Sequence, residues 1–320
     1  MKIGIDAMGG DFAPLECVRG ALEVSRELNN GVQLVLFGDE NAIRPIIQSE
    51  GGSQDQFRIV HCPETIGMAE SPTKAFQQKP HSSIAIGFHS LKEGKIDAFA
   101  SAGNTGAMLV GAMYSVKTIE GVLRPALSTL VPRDDGKVGI LLDIGANVDC
   151  KPEMLLQFGI MGSLYAKFIY HIENPRVALI SIGEEEGKGN LLVKETSELM
   201  KESDKLSFIG NIEGRDIFKD DADVMVCDGF VGNIILKFGE SIYDMIKSRG
   251  INDPYWNRFN YETYGGTGIL GANAPVVIAH GISNASAFRN MILLTRDMVE
   301  SRLVEVFKDM FIEHHAEETR

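Results

Sequence analysis

One local pattern recurs along this chain and limits its fold more than any other feature. A short apolar run rich in β-branched residues is followed by Gly with Asn, Asp or Ser, and then by helical periodicity. Runs this short predict buried strands, and strands that alternate with helices predict a mainly parallel sheet between two layers of helices. The strands that feed such turns are expected at residues 3–6, 96–100, 138–143, 177–181, 224–227 and 276–279.

The helical spacing of apolar residues predicts further helices over residues 40–49, 154–172, 191–202, 233–248 and 284–311. No repeat, low-complexity segment or linker divides the chain, so residues 1–320 are expected to form a single large α/β unit. Residues 98–116 carry no charge, but Gly and polar residues at their centre favour a strand, a turn and a buried helix over a membrane span.

Composition narrows the classes of function. The chain has 31 Lys and Arg against 44 Asp and Glu, and this net charge of −13 argues against a broad nucleic-acid-binding face. The four cysteines are far apart and indicate neither a zinc knuckle nor a disulfide framework, which favours the cytoplasm. Acidic residues interrupt the N-terminal apolar run, so no export signal is expected.

Six glycine-rich turns are expected to share one rim of the sheet, since ligand sites in parallel sheets gather at the carboxyl ends of the strands. Helix N-termini behind such turns present unpaired N–H groups and a positive dipole end, which favour phosphate or a developing oxyanion. The turns AMGGDFAP and SAGNTGA do not match G-x-G-x-x-G, and no G-x-x-x-x-G-K-[ST] occurs, so a nucleoside triphosphate site is unsupported. Acidic residues show no ligand spacing, and we expect no metal and no cofactor.

Three side chains in these turns could take part in chemistry. Lys188, between two glycines in SIGEEEGKGN, could lean over a bound anion or pair with a neighbouring glutamate. Asn233 in CDGFVGN could donate to an oxyanion or cap the following helix, and spacing alone supports both roles equally. His280 could move a proton or merely cap a strand end. An acyl-cysteine route through Cys150 or Cys227 is disfavoured, because neither has a base beside it in sequence.

Taken together and in order, the turn motifs resemble one bacterial family. The motifs are GIDAMGGDFAP, SAGNTGA, LDIGANVDCKPE, SIGEEEGKGN, CDGFVGNIILK and YGGTGILGANAPVVIAHG, within residues 2–306. They are similar to those of the phosphate acyltransferases, the acyl-carrier-protein:phosphate acyltransferases of phospholipid synthesis. The resemblance implies a Rossmann-like three-layer α/β/α fold, related to the phosphotransacetylase and isocitrate-type dehydrogenase scaffold.

The same resemblance implies an activity and its partners. A long fatty acyl chain would pass from acyl carrier protein to inorganic phosphate, giving an acyl phosphate that a glycerol-3-phosphate acyltransferase consumes. A homodimer and contact with the inner face of a membrane are also implied. Three alternatives stay open: a phosphotransacetylase-like enzyme that uses acyl-CoA, an isocitrate-type dehydrogenase, which would need metal-binding carboxylates and a nicotinamide site, and a non-catalytic peripheral scaffold for lipid enzymes.

The residues expected to form the site follow from the resemblance and from the turns. Lys188 would bind phosphate, Asn233 would stabilise the oxyanion, and His280 would protonate the leaving thiolate or orient phosphate. Phosphate and acyl-chain binding is expected at Asp6, Gly9, Gly10, Asn104, Thr105, Gly106, Asn147, Gly189, Asn190 and Gly232.

Residues 234–264 depart from the family pattern, because relatives often carry a longer amphipathic hairpin here. The shortened helical insert keeps aromatic and basic residues, which suit a membrane surface or an acidic protein, and an ordinary dimer-interface helix is equally compatible. The expected contact residues are Lys237, Lys247, Arg249, Trp256, Arg258 and Phe259, with Lys201 and Lys205 as an alternative patch.

Overall fold

The computed structural model describes residues 1–28, 31–53 and 55–318, without the side chains of 261, 262 and 313–318. The strands are β1 Lys2–Asp6, β2 Gln33–Gly38, β3 Arg58–His61, β4 Ala98–Ser101, β5 Ala126–Pro132, β6 Val138–Leu142, β7 Arg176–Ser181, β8 Ser207–Glu213, β9 Val224–Val226, β10 Thr267–Leu270 and β11 Val276–Ile278. The α-helices are α1 Leu15–Ser25, α2 Glu40–Ser49, α3 Pro72–Gln78, α4 Ser83–Lys92, α5 Thr105–Gly111, α6 Pro152–Tyr170, α7 Leu191–Glu202, α8 Gly229–Ser248, α9 Tyr261–Tyr264, α10 Ala285–Glu300 and α11 Leu303–Glu318. Short 3₁₀ turns occupy Gly214–Asp216 and Trp256–Phe259, and a π-helical turn occupies Ala112–Val116.

The described residues form two compact units, one of Met1–Thr118 with Tyr261–Val304 and one of Ile119–Asn260 with Glu305–Arg320. The single α/β unit expected from the sequence stays a prediction. In the first unit the strands run in the order β3-β2-β1-β4-β11-β10, parallel except for β10 beside β11. Edge-to-face contacts join Phe99 to Phe37 and Phe88 in its core, with ring centroids 5.8 and 5.2 Å apart.

In the second unit the strands run in the order β5-β6-β9-β7-β8, parallel except for β5 beside β6. Helix α6 packs on this sheet through a buried apolar face that includes Phe158 and Met161. Both units therefore show the mainly parallel α/β architecture expected from alternating strands and helices.

The glycine turns follow strands that point the same way within each unit. Strands β1, β4 and β11 are parallel, so the turns AMGGDFAP, SAGNTGA and HGISN lie at one edge of the first sheet. Strands β6, β7 and β9 are parallel, so DIGANVDCKPE, SIGEEEGKGN and CDGFVGN lie at one edge of the second. A single rim shared by all six turns stays a prediction.

Three of the predicted helices differ from the structure. The helix expected over 284–311 is interrupted, because Arg302 adopts a left-handed conformation between α10 and α11. Helix α6 begins at Pro152, two residues earlier than expected, since proline suits the first helical position. Helix α8 begins at Gly229, four residues earlier than expected, because Asp228 caps it. No helix in the described residues is both long enough and apolar enough to span a bilayer.

Candidate functional site

A buried carboxylate organises the turn after β6. The Asp143 carboxylate accepts hydrogen bonds from the main-chain N–H groups of Leu127, Gly145, Ala146 and Asn147 and from the Asn147 side-chain amide, at 2.6–3.3 Å. Burial raises the pKa of Asp143 above its ordinary value, and these hydrogen bonds offset part of that effect. Most N–H groups of this turn are therefore engaged by Asp143. Asn147 is held within the turn by Asp143 and by the carbonyl of Pro125.

Helix α8 docks its first turn against this turn. The Gly229 N–H donates to the carbonyl of Asn147 at 2.7 Å, and a Cβ at Gly232 would overlap the carbonyl oxygen of Asp143. Asp228 caps the helix by accepting from the Val231 N–H at 2.8 Å. Gly232 is therefore required for close packing of the helix on the strand end.

The capping alternative for Asn233 is wrong, because Asp228 is the N-cap and Asn233 lies within the second turn of the helix. The Asn233 side-chain amide donates to the carbonyl of Ile144 at 3.2 Å. This bond uses one of the two N–H groups of the amide, and among the described residues it is the only hydrogen bond of that nitrogen. Asn233 is exposed, so its other N–H can reach a ligand.

The turn after β7 differs from the turn after β6, because it carries an exposed lysine and no organising carboxylate. Its Glu186 pairs with Lys201, and Glu184 lies 3.9 Å from Arg215. Within residues 1–28, 31–53 and 55–318, the Lys188 ammonium has no ion pair or hydrogen bond. The alternative in which Lys188 pairs with its neighbouring glutamates is therefore not what the structure shows.

Gly189 and Asn190 connect this lysine to α7. Gly189 has φ +98°, a left-handed conformation that favours glycine. The Asn190 side chain caps α7 by accepting from the Val193 N–H at 2.9 Å. The first N–H groups of α7, at Leu191 and Leu192, have no carbonyl one turn earlier to accept them.

Both cysteines near the strand ends are poor nucleophiles. Burial raises the pKa of Cys227 well above its ordinary value, and the Asp228 and Asp143 carboxylates add to the effect. Burial, with the same carboxylates, raises the pKa of Cys150 to about 12. Because the thiolate is the nucleophile, these raised pKa values disfavour both thiols as nucleophiles near neutral pH.

In the first unit, another buried carboxylate lies at the end of β1. Asp6 accepts from the Met8 N–H at 3.0 Å and from the Ser101 hydroxyl at 2.6 Å, and the Gly103 N–H donates to that hydroxyl at 2.8 Å. Burial raises the pKa of Asp6, partly offset by hydrogen bonds from Ser101 and its neighbours. A Cβ at Gly9 would lie 2.5 Å from the Asp6 carboxylate. Asp6 thus connects the turn after β1 to the turn after β4. The role of Ser101 was not predicted from the sequence, because its hydroxyl reaches Asp6 only through the pairing of β1 with β4.

The turn after β4 is held by its own side chain. Asn104 caps α5 through the Ala107 N–H, and its amide nitrogen donates to the carbonyls of Gly67, Met68 and Glu70 at 3.0–3.2 Å. Asn104 therefore fixes the loop at residues 67–70. At the start of α5, Thr105 is exposed, and Gly106 packs against Pro72, where a Cβ would overlap the proline ring.

The turns after β1 and β11 meet at Gly281. The Asp11 N–H donates to the Gly281 carbonyl at 2.7 Å, and Gly10, with φ +98°, lies close to the same oxygen. His280 is half-buried beside this contact, and its carbonyl accepts from the Ser283 N–H and hydroxyl. The structure brings His280 close to the turn after β1 but shows no substrate-directed role for it.

Some of the expected contact residues in the second unit are engaged by other residues of that unit, and others are exposed at the end of α8. The Arg258 guanidinium donates to the main-chain carbonyls of Arg133 and Lys137, so it ties the segment to the β5–β6 hairpin. Trp256 and Phe259 are half-buried and pack on Tyr255. Lys237 pairs with Glu240 on α8. Lys247 and Arg249 are exposed at the C-terminal end of α8.

An apolar stripe covers one face of α8. The stripe consists of Phe230, Ile234, Phe238 and Met245, which are 53–66 % exposed. The buried residues of α8 are Gly229 and Gly232. The stripe begins beside Asn233.

No three His, Cys, Asp or Glu side chains in the described part of the chain come together in a way that could hold a metal ion.

The arrangement supports anion binding at one turn in particular. Carboxylates at Asp6 and Asp143 engage N–H groups of the turns after β1 and β6, and a buried negative charge opposes a bound anion there. The turn after β7 combines an ammonium group that has no partner in the described part of the chain, open N–H groups at the start of α7, and glycines, which together suit a phosphate.

Solved phosphotransacetylases are similar in structure to this chain. The phosphotransacetylase from Streptococcus pyogenes superposes with a TM-score of 0.69 over 95% of this chain and 94% of that chain, at 19% identity. A branched-chain phosphotransacylase from Enterococcus faecalis V583 gives a TM-score of 0.62 over 93% and 99%, at 15% identity. The chain is thus an α/β protein with the phosphotransacetylase fold.

Sequence comparisons give the family. A family model described as "Fatty acid synthesis protein" matches residues 1–249. "Phosphate acyltransferase" from Dictyoglomus turgidum is 43% identical, with 94% of each chain covered, and the protein of that name from Desulforamulus reducens is 43% identical, with 97% covered. The chain belongs to the phosphate acyltransferase family and is an acyltransferase.

Proposed function

We propose that this enzyme transfers a long-chain fatty acyl group from acyl carrier protein to inorganic phosphate, and that the acyl phosphate serves phospholipid synthesis. The observation that carries the proposal is the turn after β7, where the Lys188 ammonium stands without a partner among the described residues beside the open N-terminus of α7. The names of the relatives support phosphate as the acyl acceptor.

The reaction needs positioning more than deprotonation. The second pKa of inorganic phosphate is about 7, close to the value of about 6 for a phosphate monoester, so a phosphate oxygen is already ionised near neutral pH and can attack the thioester carbonyl carbon. The carbonyl oxygen takes up the negative charge of a tetrahedral intermediate. The C=O bond then re-forms as the C–S bond breaks, and the leaving thiolate takes a proton from His280 or from water. The protein must hold the anion against the carbonyl and stabilise the oxyanion.

Three side chains share these tasks in our proposal. Lys188 neutralises phosphate charge together with the N–H groups at Gly189, Asn190 and the start of α7. Asn233 donates its second N–H to the oxyanion, close to the turn that Asn147 and Gly232 shape. His280 protonates the leaving thiolate or orients phosphate.

The remaining expected residues act by shaping the turns around the substrates. Asp6 and Asn104 are engaged by internal hydrogen bonds. The other residues proposed to line the phosphate and acyl sites from the first unit are Gly9, Gly10, Thr105 and Gly106.

Acyl carrier protein is itself acidic, so an enzyme with a net charge of −13 needs a local basic surface to bind it. Lys247 and Arg249 are exposed at the end of α8 and are our proposed docking residues. Trp256, Arg258 and Phe259 form the packed base of this surface, and Lys237 lies on the same helix. A glycerol-3-phosphate acyltransferase is the proposed consumer of the product.

The exposed stripe on α8 supports a contact with a second copy of the chain or with the inner face of a membrane. We propose both contacts, and we propose that the enzyme is located in the cytoplasm. Light scattering on the purified chain and cosedimentation with anionic phospholipid vesicles separate them, because a dimer that buries the stripe binds vesicles weakly. A monomer that also ignores vesicles would remove both partners.

A direct assay tests the function. Purified chain is incubated with palmitoyl-acyl-carrier-protein and phosphate, free thiol is followed with a chromogenic disulfide, and acyl phosphate is trapped with hydroxylamine. We expect thiol release that depends on phosphate and yields one hydroxamate per thiol. Thiol release without phosphate, or no release, would contradict the proposal.

A phosphotransacetylase-like activity with acyl-CoA is the second candidate, favoured by the shared fold. Palmitoyl-CoA in the same assay distinguishes the two, since the proposal predicts a higher kcat/KM for the carrier-bound acyl chain. A non-catalytic scaffold would show no turnover with either donor.

A further inference from the structure

The turn that carries Lys188 has an exposed apolar side chain at each of its two ends. Ile182 directly follows β7 and is 83 % exposed, and Leu191 begins α7 and is 69 % exposed. No other large apolar side chain in the described part of the chain is as exposed as Ile182. The residues between the two are glutamates, glycines, Lys188 and Asn190. Two apolar side chains therefore stand in water at the ends of an otherwise polar turn.

Close packing holds the two ends of this turn together. An added Cβ at Gly189 would lie 3.0 Å from Ser181 Oγ and 2.7 Å from Val193 Cγ1, so the end of β7 and the first turn of α7 pack directly on this glycine. An added Cβ at Gly183 would lie 3.0 Å from Lys188 Cγ, so the lysine stem packs on the start of the turn. The exposed apolar side chains at the two ends are therefore held close to the lysine.

Exposed apolar side chains concentrate at this edge of the second sheet. The turns after β6 and β9 expose Val148 and Phe230, and Val148 lies outside the stripe on α8. At the opposite edge, residues 133–137, 172–175 and 219–223, all of which the structure describes, expose no large apolar side chain. Single exposed apolar residues are ordinary, but a group of them at the edge where parallel sheets bind ligands is typical of a binding site.

A phosphate ion gives no reason for apolar side chains here, but an acyl chain does. In acyl transfer, a phosphate oxygen must come within bonding distance of the acyl carbonyl carbon, so the first methylene groups of the chain lie close to the group that holds phosphate. The glutamates at 184–186 would repel an anionic membrane, whereas an uncharged alkyl chain is compatible with them. The acyl chain of the substrate is therefore the occupant that fits this surface.

We infer that Ile182 and Leu191 bind the methylene groups of the fatty acyl chain nearest to the thioester, so that they favour fatty acyl chains over short acyl groups. Contact with the chain would remove both side chains from water. This inference rests on the proposed function and adds an apolar subsite beside the phosphate turn.

Alkylphosphonates test the subsite without turnover, because they join a phosphate-like head group to an alkyl chain. Phosphorus NMR titration gives the Kd of methylphosphonate and of octylphosphonate for wild type and for the double variant Ile182→Asn with Leu191→Asn. Wild type should bind octylphosphonate at least tenfold more tightly than methylphosphonate. The double variant should lose about tenfold in affinity for octylphosphonate and keep its Kd for methylphosphonate within twofold, because only the contact with the chain is removed.

Steady-state kinetics give a second measurement. With octanoyl-acyl-carrier-protein as the donor, the double variant should lose about tenfold in kcat/KM for the donor. The KM for phosphate should stay within twofold of wild type. Both side chains are exposed, so we expect the variant to fold and to melt within a few degrees of wild type.

Ile312→Asn is the matched control, because Ile312 is an exposed isoleucine on α11 of the same unit. It should leave every value unchanged, and Ile182→Val with Leu191→Met should keep the wild-type ratio of the two Kd values, since it retains an apolar surface. The same ratio in wild type and in the double variant, or an equal loss of affinity for both phosphonates, overturns the inference while the proposed function stands. A wild-type chain that binds neither phosphonate would contradict the phosphate site of the proposed function, and this inference with it.

Discussion

At the scale of single residues, the turns differ in whether a buried carboxylate accepts hydrogen bonds from their main-chain N–H groups or leaves those groups available to a ligand. Asp143 takes up N–H groups of the turn after β6, and Asp6 does so after β1. The turn after β7 has Ser181 in place of such a carboxylate. Positive charge and open N–H groups therefore concentrate around Lys188, which is why we assign phosphate to this turn.

Asn233 gives the prediction at this scale. If its second N–H stabilises the oxyanion, Asn233→Ala should lower kcat by about 100-fold and leave the KM for phosphate within about threefold. The measurement is steady-state kinetics with palmitoyl-acyl-carrier-protein.

Asn233→Asp is the informative companion, because it keeps the size of the side chain but replaces the donor with an acceptor. It should be at least as slow as Asn233→Ala, with both variants melting within a few degrees of wild type. An aspartate variant with near-normal kcat would exclude the oxyanion role.

Sequence reasoning located the important turns but could not separate binding residues from organising ones. Asn104 and Asn233 both follow a glycine turn, yet Asn104 is saturated by three carbonyls and a cap, whereas Asn233 keeps a donor. Arg258 likewise donates to main-chain carbonyls instead of facing a partner. These differences depend on which distant carbonyls the fold brings close, and local spacing does not contain that information.

At the scale of elements, α8 matters because its first turn lies directly on the end of β6. The contact depends on the absence of a side chain at Gly232, which faces the Asp143 carbonyl. The helix thereby places Asn233 beside the turn that Asp143 organises.

Gly232→Ala should therefore displace the start of α8, lower the free energy of unfolding by about 1–3 kcal/mol and reduce kcat. Gly239→Ala is the matched control on the same helix, since a Cβ there meets nothing within 4 Å. Alanine at 239 should be neutral or stabilising by up to about 1 kcal/mol. Urea unfolding measures both, and equal effects of the two substitutions would show that this close contact is unimportant.

A network of ion pairs lies at the end of the second sheet opposite to the glycine turns. Arg133, 1 % exposed, pairs with Asp135, Asp220 and Asp223, and Arg176 pairs with the last two. Burial opposes ionisation of Asp223, but hydrogen bonds from Arg176 and Arg133 more than offset it, so its pKa lies below the ordinary 3.8.

A carboxyl group whose pKa is lowered by folding stabilises the fold at pH values above its ordinary pKa. It loses that contribution as the pH falls through the pKa of the folded state. Asp223→Asn should therefore lower the free energy of unfolding at pH 7 by about 3 kcal/mol, and the difference from wild type should shrink below about pH 3.8. Urea unfolding at pH 7, 5 and 3 can be followed by the single tryptophan, Trp256, which lies in the same unit. A difference that stays constant across this range would argue against ionic stabilisation by Asp223.

The elements themselves were largely predictable. Helices α2 and α7 have the bounds that apolar spacing predicts, and the six strands before glycine turns are confirmed. Strands β2, β3, β5, β8 and β10 were missed. Strand β5 leads through a hairpin turn at Gly136 into the antiparallel strand β6, and not into a helix as the recurring pattern requires. The break at Arg302 was missed because the apolar period continues on both sides of one left-handed residue.

At the scale of the whole molecule, net charge and local charge have opposite signs. The net charge of −13 repels an acidic carrier, so docking must depend on a few exposed cations. Charge reversal at Lys247 and Arg249 should raise the KM for palmitoyl-acyl-carrier-protein at least fivefold at low salt, with a smaller effect at high salt. The KM values for phosphate and palmitoyl-CoA should not change.

Reversal at Lys201 and Lys205 is the control and the rival patch. If that pair raises the KM for the carrier and the first pair does not, docking belongs to the C-terminal end of α7 instead of α8. Equal KM values in all variants would remove both patches.

The central claim is that Lys188, with the turn it occupies, holds inorganic phosphate for attack on the thioester. The most direct measurement is kcat/KM for phosphate in wild type, Lys188→Ala and Lys194→Ala at saturating palmitoyl-acyl-carrier-protein, where Lys194 is an exposed lysine one turn along α7. We predict a loss of about 100-fold in Lys188→Ala and a value within twofold of wild type in Lys194→Ala. Equal values for all three proteins would contradict the account.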